Sequence, residues 1–395
     1  MELEGFELLL TPIGQKALGE AVELVRGGTD PMRAVGTLRR EYGPALVGAA
    51  LTQADLRRRA AVKFGTDADV MYFTPHGLEQ ATRTEVAEHR AGRLVERWGV
   101  TSVGDACCGI GGDLIALVRA GCAVDAVDVD PVTVAVARAN VEALGLRASV
   151  RVEDASSLDP GAYGVLFADP ARRSGNRRTF DPRAYSPTWP MLMDMAGRAR
   201  GACLKVAPGI PDEFIPLGAE AEWVSFRGEV KEAALWLGSE AGSPPIGSVR
   251  RATLLPSGET MVAKGVEAAV GAIGRYVYEP DGAAIRAHLI GEVGQLIEGR
   301  LIDPRIAYLT GDVAVASPWV AGYEVEEVMP FSLKRLRAAL RERRVGVATI
   351  KKRGSAVDVE RLRKDLRLSG ENAIVVILTR IGERPIAVLA TEMAL

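Results

Sequence analysis

The chain has 395 residues, of which 48% are hydrophobic and 25% are charged, and its formal net charge is −2. This composition excludes a wholly disordered chain, a collagen and a disulfide scaffold, and the near-neutral charge excludes a globally basic nucleic-acid binder. The length predicts about two or three domains, each long enough to bury a core of its own.

Residues 1–95 are predicted to be mostly helical. A helix is expected after Thr52, which can cap its start, and another over 82–98, where apolar residues recur at helical spacing. Asp30-Pro31 and Thr74-Pro75 interrupt this region and mark the boundaries between helices.

From about residue 100, short apolar segments alternate with helical patterns. This alternation predicts a doubly wound, mostly parallel sheet. Helices are expected over 113–121 and 131–145. Strands are expected over 101–107, 122–130, 148–154, 164–170, 202–209, 222–228 and 232–238.

The rest of the chain predicts a second α/β region. Residues 239–248 are rich in Ser, Gly and Pro, which is typical of a loop or linker. Beyond about residue 270 we expect helices, a strand that leads into a basic loop, and a final hairpin. The predicted helices are 280–297, 331–344 and 357–370, the strand is 345–354, and the hairpin turns around Gly382.

The sharpest signal is the run VGDACCGIGGD over 103–113, which follows a strand and opens a helix. Glycines let the backbone approach a ligand without Cβ collisions, and a helix N-terminus offers free N–H groups. Asp128 ends the second strand, nineteen residues after Gly109, where a carboxylate can accept both hydroxyls of a ribose. The neighbouring Asp130 is interpreted as a helix-start acid. A plain tight strand-to-helix turn is the alternative for the run.

This spacing resembles the motif D/E-x-G-x-G-x-G of class I S-adenosylmethionine (SAM) methyltransferases, with a cysteine at the first glycine position. The resemblance implies SAM as the cofactor, with Asp128 on its ribose and Asp154, after the third strand, on its adenine amino group. It also implies that the methionine moiety lies beside the first-strand acid and the loop, which are Asp105, Cys107, Gly109, Gly111 and Gly112.

The end of the fourth strand, Asp169-Pro170, faces the transferred methyl group in this resemblance. A carboxylate and a carbonyl there can orient an amino or ring N–H, and alignment matters most in a displacement. Related amino methyltransferases carry a stacking aromatic where Arg172 stands. Arg172 and Arg173 can instead hold a phosphate or stack through a guanidinium plane, and the alternative is a surface arginine pair.

The cysteines and histidines predict no metal site. Cys107, Cys108, Cys122 and Cys203 form no CxxC pair, and the three histidines are scattered. We expect the cysteines to be packed small side chains. No signal peptide and no membrane-length apolar run is visible, so a soluble cytoplasmic protein without a membrane partner is predicted.

A closer resemblance comes from segments in a specific order: YFTPHGLEQAT (72–82), VAEHRAGR (86–93), GDACCGIGGD (104–113), AVDVDP (126–131), FADPARR (167–173), LKVAPGIP (204–211), YEPDGAAIRA (278–287) and IKKRG (350–354). Together they resemble bacterial class I methyltransferases with a C-terminal THUMP-like domain. The chain is also distantly similar to the cap-guanine-N2 methyltransferases, although it lacks their Ser-Pro-Pro-Trp.

This resemblance implies an α/β fold with a Rossmann-like class I methyltransferase core, built on a seven-stranded, mostly parallel sheet. An N-terminal helical region and a C-terminal α+β THUMP-like domain that binds RNA accompany it. The predicted divisions are 1–95 for the helical region, 96–265 for the SAM-dependent core, 266–315 for a small ferredoxin-like segment and 316–395 for the THUMP-like domain.

The segment upstream of the core suggests further contacts. Tyr72 and Phe73 are predicted to close over the cofactor or the target base, and Gln80 and Thr82 to contact the methionine end of SAM. The alternative for Tyr72 and Phe73 is a packed corner between helices.

Basic residues cluster near the C-terminus with few acids to balance them. A solvated helix face is the usual explanation of such a run, but the scarcity of acids favours phosphate binding. The predicted RNA contacts there are Lys334, Arg335, Lys351, Lys352 and Arg353.

The sequence therefore predicts a SAM-dependent methyltransferase that modifies a nucleotide in structured RNA, either tRNA or rRNA. A methyltransferase for a small molecule or a protein is one alternative, and an RNA-binding module with a vestigial SAM site is the other. The intact set of Asp105, loop glycines and Asp128 argues against a decayed site. The sequence does not predict an oligomeric state.

Overall fold

The computed structural model describes residues 2–99, 102–174, 177–178, 181–238 and 248–393, without the side chains of 172–174, 177 and 178. The chain forms two compact units: unit 1 is Met1–Glu220 with Glu232–Ser248, and unit 2 is Ala221–Lys231 with Val249–Leu395. Almost all of the predicted linker over 239–248 lies outside the described residues. The domain boundaries predicted at 95, 265 and 315 stay predictions.

Unit 1 opens with helices α1 Leu3–Leu10, α2 Pro12–Arg26, α3 Pro31–Leu38, α4 Pro44–Phe64, α5 Pro75–Gln80 and α6 Thr84–Trp98. Proline begins four of these helices, because its fixed φ suits the first turn and its missing N–H would find no partner there. Asp30 and Thr74 cap α3 and α5 through their side chains, as their positions predict. The predicted start after Thr52 is wrong: the alanine-rich sequence upstream carries α4 back to Pro44.

Strands and helices then alternate. They are β1 Ser102–Asp105, α7 Gly112–Arg119, β2 Ala123–Asp128, α8 Pro131–Ala143, β3 Ser149–Val152, β4 Val165–Ala168, β5 Ala171–Ser174, β6 Arg177–Arg178, β7 Tyr185–Ser186, α9 Trp189–Arg198, β8 Ala202–Val206, β9 Glu220–Phe226 and β10 Glu229–Leu237. Short 3₁₀ turns occur at Gly65–Asp69, Ala155–Ser157, Pro160–Ala162, Pro182–Ala184 and Asp212–Phe214.

The main sheet of unit 1 has the order β10-β8-β4-β1-β2-β3. Neighbouring strands from β8 to β3 are parallel, and β10 is antiparallel to β8. This is the doubly wound, mostly parallel core that the sequence predicts. Because parallel strands end on the same side, the residues that follow β1, β2 and β4 gather at one edge of the sheet, where open α/β sheets bind ligands.

Burial in this sheet is nearly complete at its centre. Every residue of β4 and β8 is buried, which is typical of parallel strands with both faces covered. Apolar side chains from the strands and from α6, α7 and α8 fill the surrounding core, among them Phe167 and Trp236. Small β strands β6-β5-β7 form a separate sheet, with Arg172 opposite Tyr185.

In unit 2 the elements after β10 are β11 Val249–Leu255, β12 Glu259–Val262, β13 Tyr276–Pro280, α10 Gly282–Arg286, α11 Ile290–Leu296, β14 Arg300–Asp303, β15 Ile306–Gly311, β16 Val320–Pro330, α12 Leu333–Glu342, β17 Val345–Lys352, α13 Val359–Leu366, β18 Asn372–Ile381 and β19 Arg384–Glu392. A sheet with the order β14-β15-β13-β16-β19-β18-β17 forms its body. Only β17 and β18 are parallel among its described pairs.

The predicted elements at the C-terminus are confirmed. Helices α12 and α13 pack their apolar stripes, including Leu336 and Leu362, on one face of the sheet. Gly382 turns the β18–β19 hairpin with a φ of +59°. The helix predicted over 280–297 is instead two short helices, because the chain takes a positive φ of 59° at His288. Of the helices in the described ranges, none combines the length and apolar character that a membrane span requires.

Candidate functional site

The glycine loop joins β1 to α7 at the carboxyl edge of the sheet. The N–H of Ala106 donates to Phe167 O at 3.0 Å and that of Cys108 to Val127 O at 3.1 Å, so the loop is fixed to the ends of β4 and β2. Gly109 and Gly111 have φ values of +55° and +92°, a conformation that side chains disfavour. A Cβ on Gly109 would meet no atom within 4 Å, so this part of the backbone borders open space.

Asp128 holds this loop from the second strand. Its Oδ2 accepts from Gly109 N at 3.1 Å and its Oδ1 from Asp130 N at 3.0 Å. Burial raises the pKa of the Asp128 carboxyl, although these N–H groups oppose the rise. Asp130 caps α8 by accepting from Thr133 N at 3.0 Å, which confirms its interpretation as a helix-start acid.

Asn140 fixes the loop from another direction. This buried amide on α8 donates to Ile110 O at 2.9 Å and to Tyr72 O at 3.0 Å, and it accepts from Tyr72 N. A single side chain thereby joins the glycine loop to the segment before α5. Because the amide is satisfied on both ends, the arrangement is rigid.

Asp105 lies at the end of β1, under the loop, with no exposed surface. Its Oδ1 accepts from Cys107 N at 3.2 Å, while its Oδ2 is buried without a hydrogen-bond partner in the described part of the protein. Burial raises the pKa of Asp105 to about 7; the Cys107 N–H opposes this rise and the charges of Asp169 and Asp128 add to it. Asp105 is not among the residues that border the cavity beside the loop, so this unpartnered acceptor lies next to the site without lining it.

We expect Asp105→Asn to change the pH dependence of stability. The pKa of the Asp105 carboxyl is raised in the folded protein. Below about pH 4 the carboxyl is protonated in both the folded and the unfolded protein. As the pH rises through about 7, the buried carboxyl loses its proton and the folded protein loses stability. The variant has no such loss. We therefore measure thermal unfolding of the ligand-free variant and wild type at pH 5.5 and 8. The Tm of the variant, relative to the Tm of wild type, should be higher at pH 8 than at pH 5.5. A difference that stays constant with pH would contradict this assignment.

A cavity of about 540 Å³ opens beside the loop, and its described lining belongs to unit 1. Several of the residues singled out in the sequence border it together: Gln80, Thr82, Cys107, Gly109, Gly112, Asp128, Asp154 and Asp169. Asp154 caps a 3₁₀ turn, accepting from Ser156 N at 2.9 Å and from Ser156 Oγ at 2.6 Å. These two bonds lower the pKa of Asp154, so its carboxylate stays ionised at the rim of the cavity.

Other predicted residues lie elsewhere. Tyr72 and Phe73 do not line the cavity; they are buried in the N-terminal core, where Tyr72 packs against Phe6 and Phe73 against Phe64. Their placement fits the alternative of a packed corner, because apolar rings gain most from full burial. The side chains of Arg172 and Arg173 lie outside what the structure describes.

The sequence pattern missed a buried charge network beside the cavity. Arg90 of α6 donates to Asp113 of α7 and to Glu232 of β10, and the exposed fraction of its side chain is 3%. Thr82 Oγ1 donates to Asp113 Oδ2 at 2.9 Å and accepts from Lys205 Nζ at 2.6 Å. The sequence does carry a signal for this network, which is a charged residue among apolar ones. Arg90 stands on the apolar face of α6, and Lys205 stands within the apolar strand ACLKV.

The Cys107, Cys108 and Cys122 thiols are not activated. Burial raises the pKa of the Cys107, Cys108 and Cys122 thiols, and nearby carboxylates raise those of Cys107 and Cys108 further. A thiol held protonated is a poor nucleophile, so the loop cysteines act as small packing groups. Among the described residues, no group of His, Cys, Asp and Glu side chains is arranged to hold a metal ion.

The predicted RNA contacts divide into two sets in unit 2. Lys351 Nζ donates to Glu279 Oε2 at 2.6 Å, and Arg353 lies 3.5 Å from Glu279 Oε1, so one acid partly neutralises both. Lys352 is exposed and donates to Val357 O. Lys334 and Arg335 are exposed and form no ion pair in the described ranges.

Further cations are, like Lys334 and Arg335, exposed and without an ion pair in the described ranges. They occur on α12 and at the end of α13, the two helices that cover one face of the sheet. We call this set the helical basic face: Lys334, Arg335, Arg341, Lys364 and Arg367, all exposed and without an ion pair in the part of the chain that the structure describes.

Comparison with known proteins identifies the family. A model described as a methyltransferase domain matches residues 103–168, one described as THUMP domain-like matches 320–392, and a domain of unknown function matches 2–60. An uncharacterized S-adenosylmethionine-dependent methyltransferase of Mycobacterium tuberculosis, found in strains CDC 1551 / Oshkosh and ATCC 25618 / H37Rv, is 41% identical over 337 residues, which are 83% of this chain and 91% of that protein. The chain belongs to the SAM-dependent methyltransferases.

The fold agrees with this membership. A methyltransferase crystal structure from Porphyromonas gingivalis W83 superposes with a TM-score of 0.77 at 20% identity, covering 96% of this chain and 99% of that one. At this identity the likeness concerns the fold alone, and it confirms the class I methyltransferase fold expected from the sequence. The methyltransferase is thus an enzyme whose cofactor is SAM, and its C-terminal region is THUMP-like, as predicted.

Proposed function

We propose that the cavity of unit 1 holds SAM and that the methyltransferase modifies a nucleotide of structured RNA, in tRNA or rRNA. The observation that carries the proposal is the shared cavity, which the glycine loop, Asp128, Asp154 and Asp169 border together. Carboxylates from three successive strand ends thereby face one ligand-sized space, and ligand pockets commonly range from about 300 to 1,000 Å³.

The residues at this edge fit the cofactor. Asp128 is assigned to the ribose hydroxyls and the ionised Asp154 to the adenine amino group. The bare backbone at Gly109 suits the methionine moiety. The ammonium of that moiety is a donor for the unsatisfied oxygen of Asp105, a residue that lies next to the cavity but does not line it. Of the two upstream residues, Gln80 is assigned to the methionine end, since the Thr82 hydroxyl is already engaged on both sides. SAM, when bound, supplies an electrophilic methyl group.

Asp169 and Pro170 form the acceptor side of the proposal. Asp169 follows β4 and lines the cavity, while Ala171, Pro187 and Met191 provide apolar lining nearby. A carboxylate among apolar surfaces can accept an N–H and so orient a flat, neutral ring that carries an amino group. Such positioning is the main contribution a displacement needs from the protein.

Two observations support RNA as the acceptor. The THUMP domain-like match covers residues 320–392, and the helical basic face lies within these bounds. Exposed cations without acidic partners are the groups that bind nucleic-acid phosphates. Aromatic residues are only 5% of the chain, which favours recognition of RNA shape and backbone over base stacking.

Transfer of label from radioactive SAM tests the proposal. RNA from cells that lack this gene is the acceptor, and half of each sample is digested with RNase. We expect the label to be sensitive to RNase. We also test the triple variant Lys334→Ala, Arg335→Ala and Arg341→Ala. It should lower labelling at limiting RNA by about tenfold in 0.15 M salt, because lost phosphate contacts weaken RNA binding. Its matched control, Arg33→Ala, Arg39→Ala and Arg40→Ala, removes three exposed arginines from the α3 region.

The other outcomes identify the rivals. RNase-resistant label would move the acceptor to a protein or a metabolite. An absence of label with intact SAM binding would favour an RNA-binding module with a vestigial site. Equal losses in the triple variant and its control would remove the helical basic face from RNA binding.

A further inference from the structure

We infer that Lys205 is a positioning residue for methyl transfer: it holds one oxygen of Asp169 and leaves the other for an N–H of the acceptor. The inference rests on the proposed role of Asp169. Lys205 neither makes nor breaks a covalent bond in this role. The inference also restricts the methyl acceptor to a neutral nitrogen that carries hydrogen, such as an exocyclic amine or a ring N–H.

The register of two strands places the pair. β4 and β8 are parallel neighbours, with Ala168 opposite Leu204. The next residues, Asp169 and Lys205, are therefore adjacent at the carboxyl edge of the sheet. The other residues of β8 are apolar and buried, and Lys205 is only 3% exposed. A lysine is rarely placed at such a position unless it is paired.

The contacts of Lys205 show what fixes it. Its ammonium donates to Asp169 Oδ2 and, at 2.6 Å, to Thr82 Oγ1, and it lies 4.0 Å from Asp113 Oδ2. Thr82 and Asp113 are in turn held by each other, and Asp113 by Arg90. Because these partners are buried and mutually bonded, the ammonium has a single fixed location from which to orient Asp169.

Asp169 borders the cavity, as do Thr82 and Asp113 of this network. The exposed fraction of its side chain is 23%, it lines the cavity, and Lys205 does not. Within the described ranges, the Lys205 bond is the one side-chain hydrogen bond of Asp169. The carboxylate thus has Oδ2 anchored by Lys205, while its Oδ1 has no hydrogen-bond partner in the described part of the chain. An ionised carboxylate only accepts hydrogen bonds, so it selects a donor and repels an anionic acceptor.

Three variants test the inference: Lys205→Met, Asp169→Asn and the double variant. Lys231→Met, a half-buried lysine on β10, is the matched control. We expect Lys205→Met to lower kcat about 100-fold, the loss that about 1 Å of misplacement causes. The RNA KM and the SAM Kd, the latter from calorimetry, should stay within about threefold. The double variant should lose no more kcat than Asp169→Asn alone, about 1,000-fold, because both changes act through one carboxylate.

Thermal unfolding gives a second readout that needs no acceptor. Lys205→Met leaves a carboxylate without its cation, so the double variant should have a higher Tm than Lys205→Met alone. If Lys205 were only structural, Lys205→Met would lower kcat, SAM affinity and Tm together, and the losses would be additive in the double variant. This result would overturn the inference. If the wild-type protein labels no RNA, the proposed function fails on its own. The Tm values still test the Lys205–Asp169 pair in that case. Changes in Tm that are not additive in the double variant support the pair, and additive changes overturn it.

Discussion

Asp169→Asn is expected to abolish most methyl transfer while leaving SAM bound. The proposed site separates the two tasks: Asp128 and Asp154 face the cofactor, and Asp169 follows a different strand, next to Lys205. Asparagine keeps the size of the side chain but replaces one acceptor oxygen with a donor. We expect kcat to fall about 1,000-fold, within the range for groups that handle a reacting proton or a developing charge.

Single-turnover transfer to RNA and calorimetric titration of SAM measure these quantities separately. The Kd for SAM should stay within about threefold, since few contacts are shared between the two parts of the site. Asp194→Asn, an exposed acid on α9 paired with Arg198, is the control for removing a carboxylate. Unchanged turnover, or a loss of SAM affinity as large as the loss of kcat, would remove Asp169 from the acceptor side.

Arg90→Leu should have the largest effect on stability. Arg90 bridges Asp113 and Glu232, whose side chains are 10% and 2% exposed, and its guanidinium lies 5.4 Å from the centre of the Phe167 ring. Leucine would leave two buried carboxylates without their cation. Removing one member of a buried ion pair costs about 3–5 kcal/mol, which corresponds to a fall in Tm of about 10 °C for a unit of this size.

Differential scanning calorimetry checks this result. Arg26→Leu breaks an exposed pair with Glu23 and should cost less than about 1 kcal/mol. Replacing Glu232 by Gln in the Arg90→Leu background should recover part of the lost Tm, because it removes one of the two stranded charges. If Arg90→Leu and Arg26→Leu shift Tm equally, the network contributes no more than a surface pair.

The edge of the sheet that carries the candidate site was predictable because its signals are local. Glycines at positions that need positive φ, a following helix, and Asp128 at the end of the next strand all fall within one short stretch of chain. Strand and helix order follows from periodicity in the same way. The sequence therefore predicts both the fold of unit 1 and the edge at which we propose that the cofactor binds.

The charge network was not predictable, because its partners are far apart in sequence. Arg90 and Glu232 are separated by 142 residues, and Lys205 and Asp169 by 36. Hydrophobic patterns report which positions are buried but not which opposite charges meet there. The same limit explains Lys351 and Arg353, which look unbalanced within their own segment although Glu279, distant in sequence, pairs with both.

The helix predicted over 280–297 shows a limit of periodicity itself. Its apolar spacing suits one helix, but the chain breaks at His288, whose φ is +59°. The second helix then packs against another segment, where a Cβ on Gly291 would lie 1.7 Å from Val266 O. Tertiary packing of this kind outweighs local propensity, which is a weak signal.

Unit 1 is discontinuous along the chain, and this affects the order in which it can be synthesised and folded. Its sheet needs β10, whose residues Ala233–Leu237 pair with β8 and bring Trp236 into the core. A nascent chain that has reached only Glu220 would present β8 as an open edge, the feature that invites aggregation. The ribosome must therefore translate the first segment of unit 2, Ala221–Lys231, before the catalytic unit can close its own sheet.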